Sequence, residues 1–122
     1  MWEEQELSVR AEELYQRFCS TKQEAVRLRC ALDGFFLAGI PEDQRRDYGR
    51  CLKRRIRPAV TQLIRQGDRR RLEQLERQGW FGERELDEFI RSAIEQDQPA
   101  MLICLLQLKK KNYGFKGRRL EL

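Results

Sequence analysis

The chain contains no histidine, and its four cysteines stand apart at Cys19, Cys30, Cys51 and Cys104 with no C-x-x-C pair. A zinc site needs clustered thiolates or thiolates with imidazoles, so none is expected. Three prolines and eight glycines in 122 residues leave few helix breakers. No stretch alternates apolar and polar residues in the manner of a half-buried strand, which argues against a β-rich fold. The longest apolar run, Met101 to Leu106, is far too short to cross a bilayer. The opening Met1-Trp2-Glu3-Glu4-Gln5-Glu6 lacks the basic start and apolar run of a secretory leader, so none is expected. Three serines and two threonines carry no nucleophile motif, and there is no glycine-rich phosphate loop.

What is present is mostly helix-forming. Glu, Gln, Arg and Leu dominate, residues that lose little rotamer freedom in a helix. Hydrophobic residues make up 40% and charged residues 37%, enough apolar surface for one core and a wet face on each helix. An all-α fold of six to seven short helices is expected, as one domain. Its parts are an N-terminal helical hairpin over 1–40, helical hairpin repeats over 41–113 and a basic tail over 114–122. Cys30, Cys51 and Cys104 fall in apolar helical stretches and read as free thiols packed as small hydrophobes, which suits a reducing cytoplasm.

Periodicity places the helices. Leu7, Ala11, Leu14, Tyr15 and Phe18 form one stripe over about 3–19. Thr21 and Glu24 have capping-box spacing, predicting a second helix from about Lys22 to Leu37, with Gly34 marking a close helix contact or an early end. Gly39-Ile40-Pro41 stops it and opens a third helix near Glu42, with Tyr48, Cys51, Leu52 and Ile56 inward. Pro58 predicts a break near Arg57 and a short helix to Gln66. Gly67-Asp68, Gly79 to Gly82 and Asp97-Gln98-Pro99 then divide helices over about 69–78, 83–96 and 99–111. The last is apolar all round from Met101 to Leu106, which predicts a fully buried helix. Leu32, Leu63, Phe89, Ile90, Leu102, Leu105 and Leu106 are the expected core.

The second half aligns on itself at an offset of 30: Ile56 on Leu86, Val60 on Ile90, Leu63 on Ala93, Ile64 on Ile94, Leu72 on Leu102 and Leu75 on Leu105. The stretch Val60-Thr-Gln-Leu-Ile-Arg-Gln-Gly67-Asp68, and then Leu86 to Ala93 with Met101 to Leu106, resembles ankyrin-type helical hairpins over about 56–113. The Thr-Pro-Leu-His start and the Asp-Val-Asn hairpin signature of that family are absent, so helix pairs without clear β-hairpins are expected. The resemblance implies a stacked helical scaffold that binds proteins.

Charge is banded. Residues 1–41 carry net −2, 42–71 net +7, 72–108 net −5 and 109–122 net +5. The first basic band holds Arg45, Arg46, Arg50, Lys53, Arg54, Arg55, Arg57, Arg69, Arg70 and Arg71. The second holds Lys109, Lys110, Lys111, Lys116, Arg118 and Arg119, with Tyr113 and Phe115 between them. Interleaved cations and aromatics can hold phosphates and stack bases. Equally, they can be a solvated helix face and the cations a helix C-terminus favours. The acids Glu83, Glu85, Asp87 and Glu88 crowd one helix start, where the dipole favours them, rather than converging across a cleft. The sequence therefore reads as a binding protein with no catalytic residues, metal or cofactor. A protein–protein interaction module comes first, then a nucleic-acid-associated protein using the basic bands, then a small inhibitor of a nucleic-acid enzyme.

Overall fold

The computed structural model describes residues 2–114, with side chains from Val9 onward. Seven α-helices and no strand occur among these residues, so the chain is all-α as expected. In order they are α1 (Trp2–Ser20), α2 (Glu24–Phe35), α3 (Glu42–Arg54), α4 (Ile56–Gln66), α5 (Arg69–Arg77), α6 (Glu83–Glu95) and α7 (Pro99–Tyr113). The chain forms two compact units, Met1–Arg55 and Ile56–Leu122, so α3 belongs with α1 and α2.

In the first unit α2 packs on both α1 and α3. Phe18, Leu28, Leu32, Phe35, Tyr48 and Leu52 fill its core. Tyr48 meets Phe18 edge-on at 4.9 Å and Tyr15 at 5.8 Å between ring centroids. Gly34 makes the α2–α3 approach possible: a Cβ there would lie 2.3 Å from the Tyr48 ring. The expected capping box does not form. Thr21 Oγ1 accepts only the Gln23 N–H (3.1 Å), and α2 starts at Glu24, whose carboxylate is taken by Arg27 (3.1 Å) and Arg55 (2.7 Å). Two guanidiniums hold a carboxylate more strongly than one backbone N–H does. α2 ends two residues early, and Arg45 satisfies the freed carbonyls by donating to Phe35 O (2.6 Å) and Leu37 O (2.8 Å).

The break expected near Arg57 falls at Arg55. Pro58 is the third residue of α4, inside the first turn, where a missing N–H costs nothing because no acceptor lies in reach.

The second unit is two helical hairpins. α4 packs on α5 and on α6, and α6 packs on α7, so the pair α4–α5 stacks against α6–α7. The two hairpin turns coincide at the 30-residue offset. Gly67 (φ 69°) and Asp97 (φ 53°) both take the left-handed conformation. Asp68 N–H reaches Leu63 O at 2.9 Å and Gln98 N–H reaches Ala93 O at 3.0 Å; Gly67 N–H reaches Ile64 O and Asp97 N–H reaches Ile94 O. Each is a Schellman ending of the first helix that delivers the N-cap of the second. Polar bonds tie one hairpin to the next. Arg57 of α4 holds Glu88 (2.7 Å) and Glu85 (3.3 Å) of α6, Gln98 Nε2 donates to Arg65 O (3.0 Å), and Asn112 of α7 donates to Glu76 of α5.

Leu32, Leu63, Phe89 and Leu105 are buried as expected. Ile90 and Leu102 are only half-buried, and Leu106 is 38% exposed, so these three leave the predicted core. α7 is not buried all round. Met101, Cys104, Leu105 and Leu108 face inward, while Ile103 stays 56% exposed. Among the described residues α7 packs on α6 and is tied to α5 through Glu73 and Glu76, and Ile103 and Leu106 stay exposed.

Candidate functional site

The first candidate surface lies on α3. One side of this helix buries Tyr48, Cys51 and Leu52. The opposite side carries Arg46, Arg50, Lys53 and Arg54, which at i, i+4, i+7 and i+8 make one exposed stripe. Among the described residues Arg46, Lys53 and Arg54 have no ion pair, and Arg50 has one loose contact with Asp47 at 3.6 Å. Beside the stripe runs a groove of about 400 Å³ lined by α1, α2 and α3. Phe18 and Cys51 line its apolar part, and Arg27, Arg50, Arg54 and Arg55 its charged part, opposed by Glu24 and Asp47. Both carboxylates are engaged: Glu24 by Arg27 and Arg55, Asp47 by Arg50 and by the Tyr15 hydroxyl, which donates to it at 2.5 Å. That bond holds the Tyr15 proton well above the ordinary phenol range, and burial pushes the Cys51 thiol up. The groove is thus lined by four guanidiniums against two carboxylates, with a thiol that burial keeps protonated.

The structure divides the basic band expected from the sequence. Arg45 caps α2 and Arg55 holds Glu24, so neither projects as a free cation. Arg57, Arg69, Arg70 and Arg71 belong to the second unit. There Arg57 bridges to Glu85 and Glu88, Arg69 pairs with Glu73 (3.1 Å) and Arg71 with Asp68 (3.5 Å). Lys109 is drawn to Asp87 at 2.7 Å. Arg70, Lys110 and Lys111 project, and Tyr113 ends α7 half-buried. Phe115, Lys116, Arg118 and Arg119 lie outside the described residues.

The acids of α6 are tied into the same network. Glu85 Oε1 accepts the Gly82 N–H at 2.9 Å, and this bond at the helix start holds its carboxyl below the usual range, helped by Arg57. Among the described residues no group of three or more His, Cys, Asp or Glu could hold a metal ion, and no helix is long and apolar enough to cross a membrane.

The second candidate surface was not anticipated. Ile94 of α6 is 60% exposed, Ile103 and Leu106 of α7 are 56% and 38% exposed, and Ile90 and Leu102 are half-buried, so the last hairpin leaves five large apolar side chains wholly or partly uncovered. Its signal is in the 30-residue alignment. Ile94 stands where the first hairpin has Ile64, which is fully buried. Ile103 and Leu106 stand where it has Glu73 and Glu76, which contact Cys104 and Asn112 of the next hairpin. Apolar residues thus replace acids at the positions that in the first hairpin face the following one.

Comparison of the chain with protein-family models, with curated proteins and with solved structures gives no match.

Proposed function

We propose that this chain is a protein-binding module, non-enzymatic, whose docking surface is the open face of the α6–α7 hairpin. The observation that carries this reading is the exposed trio Ile94, Ile103 and Leu106. Scattered exposed apolar side chains are ordinary, but three large ones on one helix pair, two of them at positions that in the preceding hairpin face the next, point to an interaction site. The matching turns and ties at a 30-residue spacing support an ankyrin-like stack, in which each hairpin buries its apolar side only when another element lies on it. Three buried free thiols support a reducing compartment, the cytoplasm.

The test is affinity capture from the native host with nuclease present, comparing the wild type with an Ile94→Glu/Ile103→Lys variant. Capture that survives nuclease and is lost in the variant is the expected result. Capture that disappears with nuclease and ignores the two substitutions would overturn the reading. It would favour the second one, non-sequence-specific nucleic-acid binding, for which the projecting Arg46, Arg50, Lys53 and Arg54 are the supporting observation.

A further inference from the structure

We propose that the groove lined by α1, α2 and α3 binds a phosphate monoester, held by Arg54, Arg50 and the pair Arg27 and Arg55, with its organic part against Phe18. The inference concerns the first unit and is independent of what the α6–α7 hairpin binds.

Charge is left over in the groove after every internal pair is counted. Arg27, Arg50, Arg54 and Arg55 line it against the carboxylates of Glu24 and Asp47. Glu24 is one negative charge shared by two guanidiniums, Arg27 at 3.1 Å and Arg55 at 2.7 Å, so that trio keeps +1. Asp47 offsets Arg50. Arg54 is exposed and has no ion pair among the described residues, so it adds a second +1. The sum is +2. A phosphate monoester carries about −1.5 to −2 near neutral pH, whereas a phosphodiester carries a single charge. The surplus therefore matches the monoester.

Donors are left over as well. Each guanidinium has five N–H donors in a planar fork that suits phosphate oxygens. Asp47 stands 3.6 Å from Arg50, beyond hydrogen-bond reach, and Glu24 takes one N–H of Arg55. Arg27 gives one N–H to Glu24 and another to the Thr21 carbonyl (2.6 Å), which holds its guanidinium in place. α2 begins at Glu24 and no side chain caps it, so its positive end adds to the same field. Phe18 and Cys51 supply an apolar wall for the ester's organic part. A volume of about 400 Å³ falls among small-ligand sites, roughly 300–1,000 Å³.

The test is an amide NMR titration of the full chain at constant ionic strength with phenyl phosphate, phenyl sulfate and inorganic phosphate. Phenyl phosphate should shift the residues that line the groove and saturate. Phenyl sulfate, with a single charge, should bind about tenfold more weakly, and inorganic phosphate several-fold more weakly for want of the ring. Arg54→Gln should cost about tenfold in affinity, and Glu24→Gln should tighten binding by raising the surplus to +3. Arg46 shares the exposed side of α3 but does not line the groove, so Arg46→Gln should change affinity less than about twofold. All three positions are exposed, so amide spectra of the free variants should keep the native dispersion. Phosphotyrosine as the free amino acid and within a neutral pentapeptide separates two sources of the group: equal affinities assign the site to a small ester, and tighter binding of the peptide to a phosphorylated chain. Equal affinity for phenyl phosphate and phenyl sulfate, or equal losses from Arg46→Gln and Arg54→Gln, would reveal a diffuse cationic field and overturn the site. No shift at the groove residues up to about 20 mM phenyl phosphate would overturn it too.

Discussion

At the scale of single residues, the first unit is organised around Tyr48. Its ring occupies the space a side chain at position 34 would need, so Gly34→Ala should cost about 1–2 kcal/mol, measured by urea unfolding, despite alanine's better helix propensity. The Tyr48 hydroxyl is buried and makes no hydrogen bond among the described residues. Tyr48→Phe keeps the ring and removes an unsatisfied group, so stability at neutral pH should stay level or rise by up to about 1 kcal/mol. Burial also pushes the Tyr48 phenol up to about 12, from an ordinary 10.0. A phenol that ionises later in the folded chain than in the unfolded one adds stability that is fully present below pH ~10 and is lost as pH climbs from there toward 12. The buried thiols of Cys30, Cys51 and Cys104 are raised by burial and act in the same direction. Chemical denaturation above pH ~10 should therefore show the Tyr48→Phe variant losing stability less steeply than the wild type. Parallel slopes would contradict this. The sequence marks Gly34 as a close helix contact or an early helix end but does not name Tyr48 as its partner, because the pairing is set by how α3 crosses α2.

At the scale of elements, the two hairpin turns share one geometry with different residues. Gly67 takes the left-handed conformation freely, whereas Asp97 takes it with a side chain attached. Asp97→Gly should stabilise the chain by about 0.5 kcal/mol, seen as a small rise in Tm. Asp68 accepts the Arg71 N–H at 3.1 Å as a true N-cap, while its counterpart Gln98 turns its amide to the Arg65 carbonyl. Asp68→Ala should cost about 1 kcal/mol. A cost below about 0.3 kcal/mol would mean the cap is replaced by solvent. Most elements were legible because turn residues punctuate regular apolar spacing: α4 to α7 begin or end at Gly67-Asp68, Gly79, Gly82 and Pro99, as read. The failures share one cause. Thr21–Glu24 has the spacing of a capping box, but Arg55, thirty-one residues away, takes the carboxylate. Met101 to Leu106 has the composition of a buried helix, but burial depends on how many neighbours lie around it, and its unit supplies two.

At the scale of the whole molecule, charge banding in sequence overstates the free charge on the surface. The band over 42–71 reads as eleven clustered cations, yet its members split between two units, and Arg45, Arg55, Arg57, Arg69 and Arg71 are held by acids or carbonyls. The apolar face was hidden for the opposite reason. Leu, Ile and Met in a helix read as core until the stack is seen to stop. What remains of the basic band as a coherent surface is the α3 stripe of Arg46, Arg50, Lys53 and Arg54. Four phosphate contacts on a duplex would give a log–log salt slope of about −3.6, at about −0.9 for each. Such a footprint is too small for tight binding near physiological salt. Fluorescence anisotropy with a mixed-sequence duplex should show little binding at ~150 mM salt and appreciable binding only when salt is lowered several-fold. Changing all four cations to Gln should flatten the slope by about 3 to 4 and weaken every duplex sequence equally, since the stripe contacts backbone rather than base edges. Tight, salt-resistant duplex binding that survives the four substitutions would place the nucleic-acid surface elsewhere on the chain.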